Sequence, residues 1–286
     1  MELDQNKQRQ QIEKFIRKMP SLSTTVGKVL EICSRTDASP NELNKVISLD
    51  PVLTGQVLRL INSAYYSLLN RITSLPRAIT MLGMNTVKNM ALSTAIIRSV
   101  SGAKKSRALP TAQFWQHSMG VGVSAKLLGA ACGLSLAERE ELFIAGLLHD
   151  LGKVPFWDEY IEVLTLARNQ QRPLIDVERE FMGIDHQEVG KLIAEKWQLN
   201  RVVTSCICDH HRAGEAAEIC RRQAAFVALA NMYINILDFG YAGDPFPDVA
   251  DIEGLLGIAG LSWQDYGAIG EDVVKEIEKA QIFLQV

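Results

Sequence analysis

Helix punctuation constrains this chain more tightly than any other feature. Ser39-Pro40-Asn41-Glu42 joins a capping box to a proline at the first helical position, and Asp50-Pro51 repeats the device ahead of VLTGQVLRLINSAYYS. Ser135 with Glu138 makes a second capping box before the helix that runs into Leu147-Leu148-His149. Such residues mark helix starts because the first N–H groups of a helix have no internal acceptor and a Ser or Asp oxygen supplies one. Ser74-Leu75-Pro76 opens a short apolar helix that Gly83 closes, after which Asn85 can cap TVKNMALSTAIIRSV. Few segments alternate with period two, so the chain is expected to be all-α, with about a dozen or more helices.

At 286 residues the chain can bury one large core or two smaller ones, and 47% hydrophobic with 22% charged residues excludes disordered and fibrous classes. No apolar run approaches the length of a spanning helix, and the start, MELDQNKQRQQIEKF, is polar, so neither membrane nor secretory signal is expected. Five scattered cysteines read as reduced thiols, which favours a cytoplasmic location. Cys206 and Cys208 stand too close together for a zinc-finger pair and read as buried small hydrophobes.

Charge is distributed unevenly. Residues 1–110 hold 16 Lys and Arg against 7 Asp and Glu, and residues 111–286 hold 14 against 26. The charges fall singly along helices without interleaved aromatics, so packing and solvation explain them better than nucleic-acid binding. The balance flips at SGAKKSRALPT, which places a first helical lobe at 1–104 and a second bundle with a C-terminal cap at 105–286. Lys104, Lys105 and Arg107 read as a solvated linker. The irregular stretch FGYAGDPFPD leads into the acidic cap.

All five histidines fall between positions 117 and 211. His117 continues an apolar stripe through Val121, Ala125 and Leu128, and His186 starts one through Val189, Gly190, Ile193 and Trp197. Leu142, Ala145 and Gly146 lead to His149 with Asp150 beside it, while Val203 and Ile207 lead to His210. Four helices thus each present a histidine at or near one end of an apolar face, which is how a bundle assembles a metal cage. One inward histidine is commonly a core residue with satisfied nitrogens; five together with a carboxylate point to a shared site. Imidazole with carboxylate suits one or two ions of zinc, iron, manganese or nickel. Trp115, Trp157 and Trp197 read as core, and Tyr65-Tyr66 as packing between the lobes. No GxxxxGK[ST], GxGxxG or GxSxG motif offers a competing chemistry.

His149-Asp150-Leu151-Gly152-Lys153, following an apolar helix and an upstream His117, resembles the HD superfamily of metal-dependent phosphohydrolases. More specifically the chain resembles the HDOD family of bacterial signalling proteins. The likeness is carried by Asp50-Pro51, Asn62-Ser63, Tyr65, Ile72, Ser74, Ala78, Leu82-Gly83 and Asn89 in the first half, and by FWQHS, GIDHQEVG, His210-His211 and FVALANMYIN in the second. It covers residue 20 to the C-terminus.

The resemblance implies a two-lobed all-α fold with an HD-type bundle as second lobe. It makes His117, His149 and Asp150 metal ligands and places His186, His210 and His211 where two-metal relatives hold a second ion. Lys153 falls where hydrolases contact phosphate, although a lysine past a helix end commonly just complements the dipole. Hydrolytic members have aspartate where this chain has Asn231; an amide oxygen can coordinate but brings neither charge nor base strength. The expected function is therefore a signal-transduction module acting through protein or ligand binding, with a metal-binding core and little or no hydrolysis. The alternative is a metal-dependent phosphohydrolase or phosphodiesterase acting on a nucleotide or cyclic dinucleotide, with Asp150 and Lys153 in catalytic roles. A third reading makes the cage purely structural. Expected partners are signalling proteins or such a nucleotide. No receiver, GGDEF-like or DNA-binding pattern is seen, so input and output are expected from other molecules.

Overall fold

The computed structural model describes residues 2–19, 21–35, 37–101, 109–156, 160–244 and 251–285. Among them lie sixteen α-helices and no strand. The first six are α1 (Glu2–Lys18), α2 (Thr24–Ser34), α3 (Pro40–Ser48), α4 (Pro51–Ile61), α5 (Leu75–Leu82) and α6 (Met84–Ser101). The next seven are α7 (Thr111–Ala131), α8 (Leu136–Leu148), α9 (Tyr160–Gln170), α10 (Leu174–Met182), α11 (His186–Lys196), α12 (Arg201–Asp209) and α13 (Glu218–Ile236). Three short ones close the chain: α14 (Ile252–Ala259), α15 (Trp263–Ala268) and α16 (Gly270–Ala280). Short stretches of 3-10 helix follow α8 (Leu151–Phe156), α12 (Ala213–Glu215) and α16 (Gln281–Gln285). None of the described helices is long and apolar enough to cross a membrane.

The caps stand where the sequence puts them. Ser39 and Ser135 each bond the N–H of Glu42 and Glu138 and receive the reciprocal bond, and Asp50 Oδ1 accepts from Leu53 N–H at 2.9 Å. Gly83 ends α5 at φ 83°, a conformation that favours glycine. Asn85 is not a cap. The Gly83 carbonyl already accepts from Val87 N–H, so α6 begins at Met84 and Asn85 lies inside its first turn.

The α2–α6 group and the α7–α13 bundle share one continuous apolar core. The Tyr65-Tyr66 corner joins them: Tyr65 packs on Phe143 and Phe283, with ring centroids 5.4 and 5.3 Å away. Lys126 Nζ lies 4.1 Å above the Tyr65 ring and 2.7 Å from Glu140 Oε1, and the Tyr66 hydroxyl donates to Glu140 Oε2 at 3.1 Å. Asn62 pins the loop behind this corner, donating to the Ile72 carbonyl and accepting from the Ile72 N–H, both at 2.7 Å.

Helix α1 packs against α10 and α11, where Lys196 Nζ donates to the carbonyls of Ile16, Arg17 and Met19 at its end. That contact crosses the division drawn at 104/105, which itself lies outside the described residues, as do Lys104, Lys105, Arg107, Trp157 and residues 245–248. Trp115 and Trp197 are buried in the core. All five cysteines are free. Cys206 is buried as expected, but Cys208 is only half-buried, because the stripe Val203, Ile207, His210 turns it toward the flank of α12.

Two close approaches set the bundle. A Cβ at Gly146 would stand 2.8 Å from Gly122 Cα, and one at Gly152 would overlap the His186 carbonyl. The first lets α7 and α8 touch backbone to backbone. The second seats the start of α11 on the turn after α8.

Candidate metal centre

Every histidine-bearing element delivers its side chain to one buried place. His117 lies in the second turn of α7, His149 and Asp150 follow the end of α8, and His210 and His211 follow the end of α12. His186 is the first residue of α11, fixed there by Asp185, whose side chain accepts from Glu188 N–H at 2.8 Å in a capping box. Asn231 comes from the middle of α13. His117, His149, Asp150, His186, His210 and Asn231 are all buried, and His211 is half-buried.

Hydrogen bonds on the far side of three imidazoles decide where their protons are. His149 Nδ1 lies 2.7 Å from the Gly146 carbonyl, His210 Nδ1 lies 3.1 Å from the Ile207 carbonyl, and His186 Nδ1 lies 2.6 Å from Glu178 Oε2. Each of these oxygens can only accept, so each Nδ1 carries a hydrogen, and in the neutral ring it is Nε2 that presents a lone pair. Those lone pairs converge on one carboxylate. His149 Nε2 is 3.2 Å from Asp150 Oδ2, and His186 Nε2 and His210 Nε2 are 3.5 and 3.6 Å from Asp150 Oδ1. His186 Nε2 also stands 3.3 Å from His210 Nε2 and 3.2 Å from His211 Nε2.

This arrangement leaves buried acceptors facing one another. His149 Nε2 and Asp150 Oδ1 have no hydrogen-bond partner, a costly condition that a divalent cation between them would relieve. The donor atoms form two compact groups, His117 with His149 and Asp150, and His186 with His210 and His211, each drawn within 4.8 Å. The residues present therefore fit one or two cations, and imidazole-rich donors with one carboxylate suit a transition metal over calcium. His117 differs from the others: its Nε2 is 3.0 Å from Asn231 Oδ1, which also accepts from Asn235 Nδ2 at 3.2 Å.

The electrostatics keep the donors ready. Burial lowers His117 to about 3 and His210 to about 4, so both rings are neutral at physiological pH. Burial alone would raise Asp150, but the basic groups beside it, Lys153 Nζ at 2.8 Å among them, hold it well below the usual carboxylate range. Lys153 is not a solvated lysine complementing the α8 dipole. It is buried with Nζ 2.8 Å from Asp150 Oδ2, because a carboxylate at a helix C-terminus needs a cation beside it. Burial would lower Lys153, and Asp150 with Asp244 and Glu178 raises it instead.

All seven sequence-derived ligand candidates and Lys153 thus meet here. Spacing missed Glu178 and Tyr160, whose side chains stand behind His186, since both lie on helices with no histidine of their own. A small pocket of about 90 Å³ opens onto His210, His211 and Asn231, with Arg212, Asp251 and Leu255 at its rim.

The family profile of the HDOD domain matches residues 19–213. An uncharacterized protein of Treponema pallidum is 28% identical over 226 residues, 77% of this chain but 43% of that protein, so the chain spans under half the length of the curated relative it matches. Among solved structures, an HDOD domain protein of unknown function from Geobacter sulfurreducens superposes with a TM-score of 0.78 at 22% identity, over 98% of this chain and 99% of that one. A protein of Marinobacter aquaeolei provisionally named for signal transduction gives 0.74 at 17% identity, over 99% of this chain and 66% of that one. One of Shewanella amazonensis, provisionally named a phosphohydrolase, gives 0.71 at 21% identity over 96% and 98%. These structures share the fold.

Proposed function

This chain belongs to the HDOD domain family, and from that premise we propose that it is a cytoplasmic signal-transduction module that holds one or two divalent transition-metal ions and acts by binding partners, with little or no hydrolysis. One observation carries the metal half of this reading: three buried imidazoles, each with Nδ1 held by an acceptor, turn Nε2 toward a single carboxylate with an unpartnered oxygen. His117, His149 and Asp150 would hold one ion and His186, His210 and His211 the other, with Asn231 Oδ1 as a neutral contributor beside His117.

When bound, such an ion supplies Lewis-acid stabilisation to phosphoryl oxygens. The chain's own residues then argue against efficient turnover. Asn231 carries no charge and cannot take up a proton from water, and Lys153 is already committed to Asp150. One opening onto the centre among the described residues holds about 90 Å³, well below the roughly 300 Å³ at which small-molecule pockets begin. It fits a phosphoryl group better than a nucleobase.

The hydrolytic alternative, on a nucleotide or cyclic dinucleotide, draws on the near-complete histidine set and on the opening that reaches His210 and His211. Asp150 and Lys153 would then order the site around a phosphate.

Elemental analysis of untagged protein purified anaerobically, with His149→Ala alongside, tests the centre. About one or two iron, manganese, zinc or nickel ions per chain, lost in the variant, are expected. A metal-free and fully folded wild type removes the metal reading. Turnover of a nucleotide or cyclic dinucleotide by manganese- or iron-loaded protein, abolished by His149→Ala, replaces the binding role with the enzymatic one.

A further inference from the structure

Glu178 is not among the candidate ligands, yet it governs one of them. It sits on α10 fully buried. Its Oε2 accepts from the His186 backbone N–H at 3.0 Å and from His186 Nδ1 at 2.6 Å, and its Oε1 accepts the Tyr160 hydroxyl at 2.5 Å. A buried carboxylate is costly, and an apolar side chain could fill the same space at less expense.

The α10–α11 turn is closed by more than the bond from the His186 backbone N–H to Glu178. Gly183 ends α10 in the left-handed conformation, Arg179 Nε donates to Asp185 Oδ2 at 2.7 Å, and the Asp185–Glu188 box starts α11. Besides taking the His186 backbone N–H, Glu178 provides the acceptor for Nδ1–H, which in the neutral ring puts the lone pair of His186 on Nε2. That atom is the hinge of the centre, because it stands with His210 and His211 in one group and 3.5 Å from Asp150 Oδ1 of the other.

We infer that Glu178, itself held by Tyr160, is the positioning residue of the centre: it fixes the tautomer and aim of His186 and so makes the His186, His210 and His211 group able to take an ion. The inference rests on the metal reading proposed above. A ligating histidine whose other nitrogen donates to a carboxylate is a more basic and better oriented ligand, and loss of such a partner weakens metal binding about 10–100-fold.

The test uses the full chain with Glu178→Gln and Tyr160→Phe. Zinc affinity and stoichiometry are measured by chelator competition, and the His186 tautomer by side-chain ¹⁵N NMR of the metal-free protein. Wild type is expected to show Nδ1–H. Glu178→Gln should show a mixture and lose about 10–100-fold in affinity for one ion while the other is retained. Tyr160→Phe should move both readouts in the same direction by less, and it carries the test if Glu178→Gln does not fold. A merely structural role would lower the melting temperature and leave tautomer and affinity unmoved; that result, with zinc still bound, overturns the assignment alone. A wild type that takes no zinc overturns this inference together with the metal reading.

Discussion

The α7–α8 pair carries a buried polar cluster at each end, and the two ends are built on opposite terms. On α7 the clusters are marked by His117 and Lys126, and from α8 into the turn beyond it by Glu140 and His149, nine residues apart in both cases, about 14 Å of helix. At the lobe junction the charges meet complements, Lys126 and the Tyr66 hydroxyl on Glu140 and the Tyr65 ring under the ammonium, and only the Tyr65 hydroxyl of these groups is left without a partner. At the histidine end, acceptors face acceptors, and His149 Nε2 and Asp150 Oδ1 are left open. A network whose charges are paired rigidifies what it joins, whereas facing acceptors left open in a buried place are poised to take a cation.

The largest expected effect falls between the two ends. Gly146→Val puts a branched side chain where a Cβ alone would lie 2.8 Å from Gly122 Cα, and backbone cannot yield as a side chain can. A loss of about 3 kcal/mol in urea unfolding is expected, with both clusters disturbed; a loss below about 1 kcal/mol would show that the helices are not locked together.

Breaking each end separately should separate their characters. Lys126→Met strands a buried Glu140 and should cost about 2–3 kcal/mol whether or not metal is present. His149→Leu in chelated protein removes an unpartnered nitrogen and should cost only about 1 kcal/mol. Zinc at 100 times its Kd should then raise wild-type stability by about 2.7 kcal/mol for each ion held, and His149→Leu should lose the share of the His117, His149 and Asp150 group, read by thermal and chemical melts. Equal losses at both ends in chelated protein would erase the contrast.

Asn231→Asp adds the charge that the open end lacks. Metal affinity should rise about tenfold, on the order of 1.4 kcal/mol, by chelator competition. Phosphodiester turnover appearing at the same time would locate the catalytic defect in that one atom.

The smallest effect is a pH dependence of the metal-free protein. His117 and His210, held by burial at about 3 and about 4, stay neutral in the fold while the unfolded chain takes up protons near pH 6.5. Stability is therefore full well above pH 6.5 and falls as pH drops toward the folded values. Each histidine should cost about 0.7 kcal/mol between pH 7 and pH 6. His210→Leu should flatten that slope, and a slope unchanged in the variant would count against the burial of this ring.

Local chemistry was legible from residues alone. Capping at Ser39, Asp50 and Ser135 needs only a side-chain oxygen and an N–H three residues on, so position along the chain suffices. Asn85 failed as a cap for an equally local reason, since the Gly83 carbonyl had already begun the next helix. The convergence of histidines was legible as well. Helical periodicity carries the inward face, and four inward histidines, with a fifth beside one of them, are far more natural as one polar site than as separate core residues.

By itself, then, the sequence determined the all-α class, the starts of α3, α4 and α8 and the set of seven candidate ligands. Tertiary structure alone decided the protonation and pairing that give those residues meaning. Glu178 reaches His186 across a turn between helices, Lys153 folds inward onto Asp150 instead of outward to water, and Lys126 meets Glu140 from a neighbouring helix. Periodicity tells which side of a helix faces in, but a hydrogen bond depends on ångström separations between elements, and those are set only when the cores have packed.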